Sequence, residues 1–144
     1  MNQSRHIGSL GEKIAEAYLI EKGFTILFRN FSSRYGEIDI IGREPMGMPG
    51  YNAQEGTQNS PKAKDKANGR IQTIVFFEVK SYKPGSMVHP LEAITPSKKK
   101  KILKTAKLFA YKNKLFNHHL RFDALVVRKN TVETHLENII QDAD

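Results

Sequence analysis

Two charged residues in a strand-like segment are the first candidates for chemistry. Glu78 and Lys80 lie two positions apart within residues 71–82, where β-branched and aromatic residues predict a strand. Alternate residues of a strand point to the same face, so Glu78 and Lys80 share a face with Ile74 and Phe76. Two charges therefore interrupt a face that is otherwise apolar.

A third charged residue comes from a neighbouring strand-like segment. Asp39 lies early in residues 36–41, where strict alternation predicts Ile38 and Ile40 on one face and Asp39 on the other. We expect this strand to form an antiparallel hairpin with the later one. The start of one strand then lies beside the end of the other, which brings Asp39 close to the Glu78 and Lys80 pair.

Carboxylates brought together in this way repel each other unless a cation lies between them. Asp39 and Glu78 offer the oxygen ligands that suit Mg²⁺ or Mn²⁺, and Glu12, on a predicted helix packed against the sheet, would complete the ligand set. The metal would activate water for attack on a phosphate. Lys80 would orient or deprotonate that water, or stabilise the developing charge.

Each part of this pattern also has a purely structural interpretation. Alternating charges are typical of a strand with one solvated face, and Glu-x-Lys at a strand end is usually a surface ion pair of little energetic value. A glutamate such as Glu12 on a helix is usually solvated. The combination of Asp39 with Glu78 and Lys80 favours a metal-dependent site over these readings.

The basic residues of the chain are concentrated in one segment. The 144 residues carry 23 Lys and Arg against 15 Asp and Glu, a net charge of +8, and contain no cysteine, which excludes disulfides and thiolate chemistry. Residues 95–121 hold nine basic side chains and no acidic ones, so the rest of the chain is close to neutral. We expect these lysines to bind phosphates, above all Lys98, Lys99, Lys100, Lys101 and Lys104.

The remaining pattern predicts the elements that position these residues. A helix is expected over 4–22 with an apolar stripe of Leu10, Ile14, Ala17 and Tyr18, ended by Gly23. Further elements are a strand over 25–30, a helix capped by Thr95 with Pro96 at its first position, and a strand over 122–127 parallel to the 71–82 strand. A last helix or strand would contain Leu136, Ile139 and Ile140.

The order α-β-β-β-α-β predicts an α/β fold with a mixed central β-sheet flanked by helices. Residues 1–144 are expected to form a single domain, with a mobile insertion at 44–70 lying at the end of the hairpin opposite Asp39. No apolar run is long enough for a signal peptide or a membrane span, so we expect a cytoplasmic protein with no membrane partner.

The chain also resembles a known family. The motifs that carry the resemblance are, in order, Gly8-x-x-Gly11-Glu12, Ala15, Tyr18-Leu19, Gly23, Arg29-Asn30, Gly36-Glu37-Ile38-Asp39, Phe77-Glu78-Val79-Lys80 and Arg121-Phe122-Asp123. Together they are similar to the YraN-like family of bacterial proteins, placed within the PD-(D/E)xK nuclease superfamily beside restriction-endonuclease-like enzymes and Holliday-junction resolvases. The resemblance covers most of the chain outside 44–70.

This resemblance implies a restriction-endonuclease-like fold and specific roles. Asp39 and Glu78 match the metal-binding carboxylates of the superfamily, Lys80 matches its catalytic lysine, and Glu12 matches a helix glutamate of resolvase-like members. The chain departs from the family at Tyr82, where an arginine is common, and in the length of the 44–70 loop.

Three functions follow as hypotheses. The first is a nuclease dependent on Mg²⁺ or Mn²⁺ that acts on DNA, including branched or single-stranded DNA. The second is a catalytically inactive nucleic-acid-binding module of the same fold, and the third is an adaptor that binds other proteins through the 44–70 loop. A resolvase-like role would favour a homodimer, because cutting two strands needs two sites.

Overall fold

Two helices and five strands form one layered α/β structure. The computed structural model describes residues 3–46, 71–89, 92 and 94–141. The elements are α1 Gln3–Glu21, β1 Thr25–Ser33, β2 Gly36–Arg43, β3 Thr73–Ser81, α2 Pro96–Lys112, β4 His119–Arg128 and β5 Thr131–Leu136. The strands form one sheet in the order β1-β2-β3-β4-β5, in which only β3 and β4 are parallel. The predicted mixed sheet, antiparallel β2–β3 pair and parallel β3–β4 pair are confirmed.

The connection between β2 and β3 leaves the sheet at the end predicted for it. The pairing of the two strands runs from Arg43↔Ile74, next to the connection, to Ile40↔Phe77. Asp39 therefore lies at the opposite end of the hairpin, as expected. Residues 47–70 lie outside the described residues, and the mobile insertion at 44–70 stays a prediction.

Each face of the sheet is covered by one helix. Under α2, Phe76 of β3 packs with Ile102 and Phe109, and under α1, Phe77 packs with Ala15 and Leu19. Both clusters are almost fully excluded from water, so β3 is a central strand buried on both faces. Burial on this scale is the main source of stability for a domain of this size.

The contact line of α1 differs from the predicted stripe. Ala15 and Leu19 are fully buried, whereas Leu10 is 45% exposed and Ala17 is exposed. At Gly11, one turn before Ala15, an added Cβ would lie only 1.8 Å from Ser81 Oγ. Small residues let α1 approach β3 closely, and this approach rotates the larger Leu10 toward solvent.

The end of α1 and the start of α2 follow the sequence signals. Gly23 has a φ of 92°, and the N–H groups of Gly23 and Phe24 donate to the carbonyls of Ile20 and Leu19, closing the helix as a Schellman motif. At α2, the Thr95 hydroxyl accepts a hydrogen bond from the Lys98 N–H, and Pro96 is the first helical residue. Both predicted boundaries are confirmed.

The predicted alternation of β2 is wrong at Asp39. Ile38 packs in the cluster under α2 while Ile40 packs in the cluster under α1, although strict alternation would put both on one face. The facing residue on β1 is Asn30, which has a φ of 50° and lies between the pairs Arg29↔Ile40 and Phe31↔Ile38. Both strands therefore twist sharply at this point, a distortion that asparagine tolerates better than most residues.

The C-terminal element is a strand. β5 pairs antiparallel with β4 at the edge of the sheet and includes Leu136. Ile139 and Ile140 follow the strand and pack against the cluster under α2, so they are not part of the same element. The sheet thus has one strand more than the predicted order α-β-β-β-α-β.

Neither of the two helices, α1 and α2, is long and apolar enough to cross a membrane, within the described part of the chain.

Candidate active site

The candidate site lies where β2 and β3 separate. Pairing between these strands stops at Ile40↔Phe77; residues 36–38 pair with β1, and residues 78–81 pair with β4. The Val79 N–H is therefore not used in a ladder bond to β2. It donates instead to Asp39 Oδ2 at 2.8 Å. The strand divergence creates a gap in the sheet and fixes the Asp39 carboxylate within it.

Glu78 is buried at the edge of this gap. Its side chain is 10% exposed, and its Oε1 atom lies 2.9 Å from Lys80 Nζ and 2.5 Å from Lys98 Nζ. Lys80 comes from the same strand, as the spacing predicts, whereas Lys98 comes from the first turns of α2. The structure thus joins the basic helix to the acidic strand through one carboxylate.

Two further carboxylates share one hydrogen-bond donor, the side-chain amide of Asn30. With its amide nitrogen turned toward them, Asn30 donates to Glu12 Oε2 and Glu37 Oε1, each at 3.2 Å. Glu12 is half-buried on α1, and Glu37 is exposed on β2. One amide therefore links the α1 glutamate to the strand that carries Asp39.

These carboxylates influence one another. Burial raises the pKa of Asp39 to about 7, the charge of Glu78 adds to the rise, the Val79 N–H opposes it, and Glu12 and Glu37 contribute further increases. Burial and the charge of Glu37 also raise the pKa of Glu12, against the lowering effect of the Asn30 amide. The site therefore concentrates more negative charge than its buried position readily holds.

Lys80 experiences opposite influences. Burial by itself would lower the pKa of Lys80, but its hydrogen bonds and the charges of Glu78 and Asp39 hold that pKa above the ordinary value. The ammonium group therefore stays protonated at neutral pH. It suits a role as a hydrogen-bond donor and positive charge rather than as a general base.

The predicted metal ligands have the right chemistry but do not form a closed cage. Within residues 3–46 and the later described ranges, no three carboxylate or imidazole side chains converge closely enough to hold an ion together. Mg²⁺, however, commonly uses one or two protein carboxylates and completes its shell with water and phosphate. Asp39 and Glu78 fit this donor set, and a cation would offset the burial and the repulsion from Glu78 that together raise the pKa of Asp39. The assignment of Asp39, Glu78 and Glu12 as ligands stays a prediction.

The predicted phosphate-binding lysines do not all face this site. Lys98 and Lys101 line a cleft of about 290 Å³ together with Gly36 and Glu37. Lys104 lies farther along the same helix, 5.3 Å from the centre of the Tyr35 ring. Lys100 is exposed, and Lys99 lines a separate cleft with Leu136 and Ile139. The lysine run therefore divides between two sides of α2.

Sequence reasoning missed a buried charge network on β4. Asp123 is fully buried and accepts hydrogen bonds from Arg121, from His135 Nε2 at 2.8 Å and from the Asn138 N–H at 2.9 Å. Arg121 also pairs with Glu44 at 2.6 Å. Arg121 is one of the nine basic residues of the 95–121 segment, but its guanidinium has an internal role. The only sequence signal was its place in the Arg121-Phe122-Asp123 motif.

Asn30 and Glu37 were likewise not predicted as site residues. Both belong to motifs of the family resemblance, Arg29-Asn30 and Gly36-Glu37-Ile38-Asp39. Their convergence depends on the twist of the β1–β2 hairpin, which strict alternation does not predict.

Comparison with known proteins identifies the family. The model of "Uncharacterised protein family UPF0102" matches residues 11–127. The chain is similar to UPF0102 proteins of Clostridium tetani (36% identical over 97% of this chain and 94% of the relative) and Clostridium botulinum (38% over 92% and 87%). It is also similar to the UPF0102 protein of Syntrophus aciditrophicus (32% over 99% and 91%). The chain therefore belongs to family UPF0102, the YraN-like family that its motifs resemble.

Proposed function

We propose that this protein is a metal-dependent nuclease that hydrolyses phosphodiester bonds in DNA. The observation that carries the proposal is the convergence of Asp39, Glu78 and Lys80 in the gap between β2 and β3. Lys98 supports it, because this residue brings the positively charged side of α2 to the same carboxylates. DNA is the substrate that the resemblance to resolvases implies.

Each residue has a defined task in this proposal. Asp39, Glu78 and Glu12 would hold Mg²⁺ or Mn²⁺. The bound cation would supply a Lewis acid that polarises the phosphate and lowers the pKa of coordinated water. Lys80, held protonated beside Glu78, would donate to a phosphate oxygen as negative charge develops there. Lys98 and Lys101 line the neighbouring cleft and would bind the flanking backbone phosphates.

A second candidate is a nucleic-acid-binding module without activity. The observation in its favour is that Glu78 already pairs with two lysines, which satisfies its charge without a metal. The same basic side of α2 would serve binding alone, so DNA affinity does not separate the two functions.

The test is cleavage of linear, forked and four-way DNA and RNA with Mg²⁺ or Mn²⁺. We expect Asp39→Asn to reduce cleavage to the level of the buffer blank, and Lys80→Ala to reduce the rate roughly 10²–10³-fold, as the loss of one charge-stabilising donor does. Glu21→Gln, a matched loss of an exposed carboxylate at the end of α1, should cleave like wild type. Equal activity of wild type and Asp39→Asn on every substrate would exclude the enzyme. Calorimetry without Mn²⁺ uptake, alongside salt-sensitive DNA binding, would favour the inactive module.

A further inference from the structure

The turn between β1 and β2 carries an aromatic and cationic stack. The Arg34 guanidinium carbon lies 4.8 Å from the centre of the Tyr35 ring, and Arg34 Nη2 donates to the Tyr35 hydroxyl at 2.5 Å. Lys104 of α2 places its ammonium nitrogen 5.3 Å from the same ring centre. Arg34 is exposed and Tyr35 is half-buried, so the guanidinium lies on the solvent side of the ring.

This stack is held firmly on α2. Ser33 Oγ lies 2.9 Å from Thr105 Oγ1, and it also accepts a hydrogen bond from the Tyr35 N–H at 3.1 Å. Thr105 is fully buried, so it anchors the turn to the interior of the domain. A pre-formed surface of this kind loses little conformational freedom when a ligand binds.

The stack adjoins the candidate active site. The residues after Tyr35 are Gly36 and Glu37, which line the 290 Å³ cleft with Lys98 and Lys101. Lys98 in turn pairs with Glu78. The surface therefore continues from the stack, through the cleft, to the carboxylates.

The charges of this region point to an anionic planar ligand. The ion pairs of the described residues include none of Arg34, Lys101 and Lys104, so no carboxylate in those pairs neutralises these cations. Binding of phosphate groups alone would require only these positive charges. A flat, exposed guanidinium beside an aromatic ring adds a surface on which a nucleobase can stack.

We propose that the Arg34–Tyr35 stack binds an unpaired nucleobase, while Lys104 binds the phosphate attached to it. The inference rests on the proposed nuclease function and names its substrate class: single-stranded or unpaired DNA beside the cleaved bond. Bases within a duplex are already stacked on both faces, so this surface selects a base that is free to leave the helix. Stacking tolerates any sequence, because every base has a π-face.

The experiment measures binding without cleavage. The full chain, in EDTA, is titrated into a single-stranded oligonucleotide containing 2-aminopurine, an otherwise identical abasic oligonucleotide, and a duplex. We expect the fluorescence of 2-aminopurine to be quenched when the wild-type protein binds. Arg34→Lys, which keeps the charge but removes the plane, should weaken single-strand binding roughly tenfold, the size of one lost stacking contact. It should leave abasic and duplex binding unchanged.

Two further variants separate stacking from charge. Tyr35→Leu should resemble Arg34→Lys, and Lys104→Ala should weaken the intact and abasic strands alike and reduce the salt dependence by about one phosphate contact. Because Arg34 is exposed, Arg34→Lys decides the question even if Tyr35→Leu unfolds the protein. The stacking site would be overturned if Arg34→Lys bound all three nucleic acids like wild type, or if it lost affinity for all three equally.

Different results overturn the stacking site and the proposed nuclease function. If wild type cleaves no substrate while Arg34→Lys selectively loses the single strand, the stacking site stands and the proposed function fails. If Asp39→Asn abolishes cleavage while Arg34→Lys binds like wild type, the proposed function stands and the stacking site fails.

Discussion

Lys98, in the first turns of α2, lies 2.5 Å from Glu78 Oε1 on β3. This pair links two features that are separate in the sequence, the lysine run and the Glu-x-Lys segment. It also means that the most buried of the candidate metal-binding carboxylates already has two cationic neighbours, Lys98 and Lys80. Any divalent cation at Glu78 must compete with these ammonium groups.

Removing Lys98 should therefore change metal affinity. We expect Lys98→Ala to bind Mn²⁺ several-fold more tightly than wild type, because Glu78 loses one competing cation. Isothermal titration calorimetry measures this directly. Lys100→Ala removes the same charge from an exposed position of α2 and serves as the control, with near wild-type affinity. Weaker Mn²⁺ binding by Lys98→Ala would mean that Lys98 positions Glu78 rather than competing for it.

Asp39 should make the protein less stable as the pH rises. Its pKa increases from 3.8 in the unfolded chain to about 7 in the folded protein, chiefly because of burial. Between these values the folded state retains a proton that the unfolded state has lost, so the free energy of unfolding falls as pH rises toward 7. Asp39→Asn, which can still accept from Val79, should be more stable than wild type by about 1–3 kcal/mol at pH 7.5 and similar to it near pH 4. Urea unfolding followed by circular dichroism at both pH values measures the difference, and a less stable Asp39→Asn at pH 7.5 would contradict it.

Replacing Asp123 by asparagine should change the stability at neutral pH in the opposite direction. Burial alone would raise the pKa of Asp123, but hydrogen bonds from His135, Arg121 and the Asn138 N–H hold it below the ordinary value. The carboxylate therefore stabilises the fold above the unfolded pKa, and this contribution is lost as pH falls through the folded pKa. Asp123→Asn leaves Arg121 with less compensation and should cost about 3 kcal/mol at pH 7.5. The loss should shrink below pH 4 in the same urea experiment; a loss that does not depend on pH would show that packing rather than charge is responsible.

Gly11 is expected to tolerate no side chain unless Ser81 changes with it. A Cβ on Gly11 would lie 1.8 Å from Ser81 Oγ and 3.2 Å from Ser81 Cβ. Gly11→Ala should therefore destabilise the domain by about 1–3 kcal/mol, the usual cost of overpacking. In the double variant with Ser81→Ala the cost should be smaller than the sum of the single changes, because the closest atom is gone. Thermal denaturation of wild type, the two single variants and the double variant measures the coupling between the two positions. Additive losses of stability would show that the helix shifts as a whole. Ser9→Ala, exposed on the same helix, should be neutral.

Several features of the fold could be predicted because they depend on local chemistry. The Thr95-Pro96 start of α2 and the Gly23 end of α1 are decided by hydrogen bonds within a few residues. The antiparallel β2–β3 pair follows from the order of the strands. That pairing is sufficient to place Asp39 beside the Glu78 segment.

Other features could not be predicted because they depend on how elements approach in space. Close contact at Gly11 turned the buried line of α1 away from Leu10, and the twist at Asn30 moved Ile40 to the opposite face from Ile38. Periodicity assumes regular geometry, and these two positions are where the geometry departs from it.

The sequence by itself determined which residue types are available: the carboxylates of Asp39 and Glu78, the lysine two positions later, and a helix with a concentrated positive charge. Only the tertiary structure decided that β2 and β3 separate at Ile40, which frees the Val79 N–H for Asp39, and that the lysine run meets the site through Lys98. The physical reason is the distance along the chain over which each interaction acts. Hydrogen bonds and side-chain periodicity act along a few residues of chain, whereas the position of one charge beside another is fixed by the packing of elements distant in sequence.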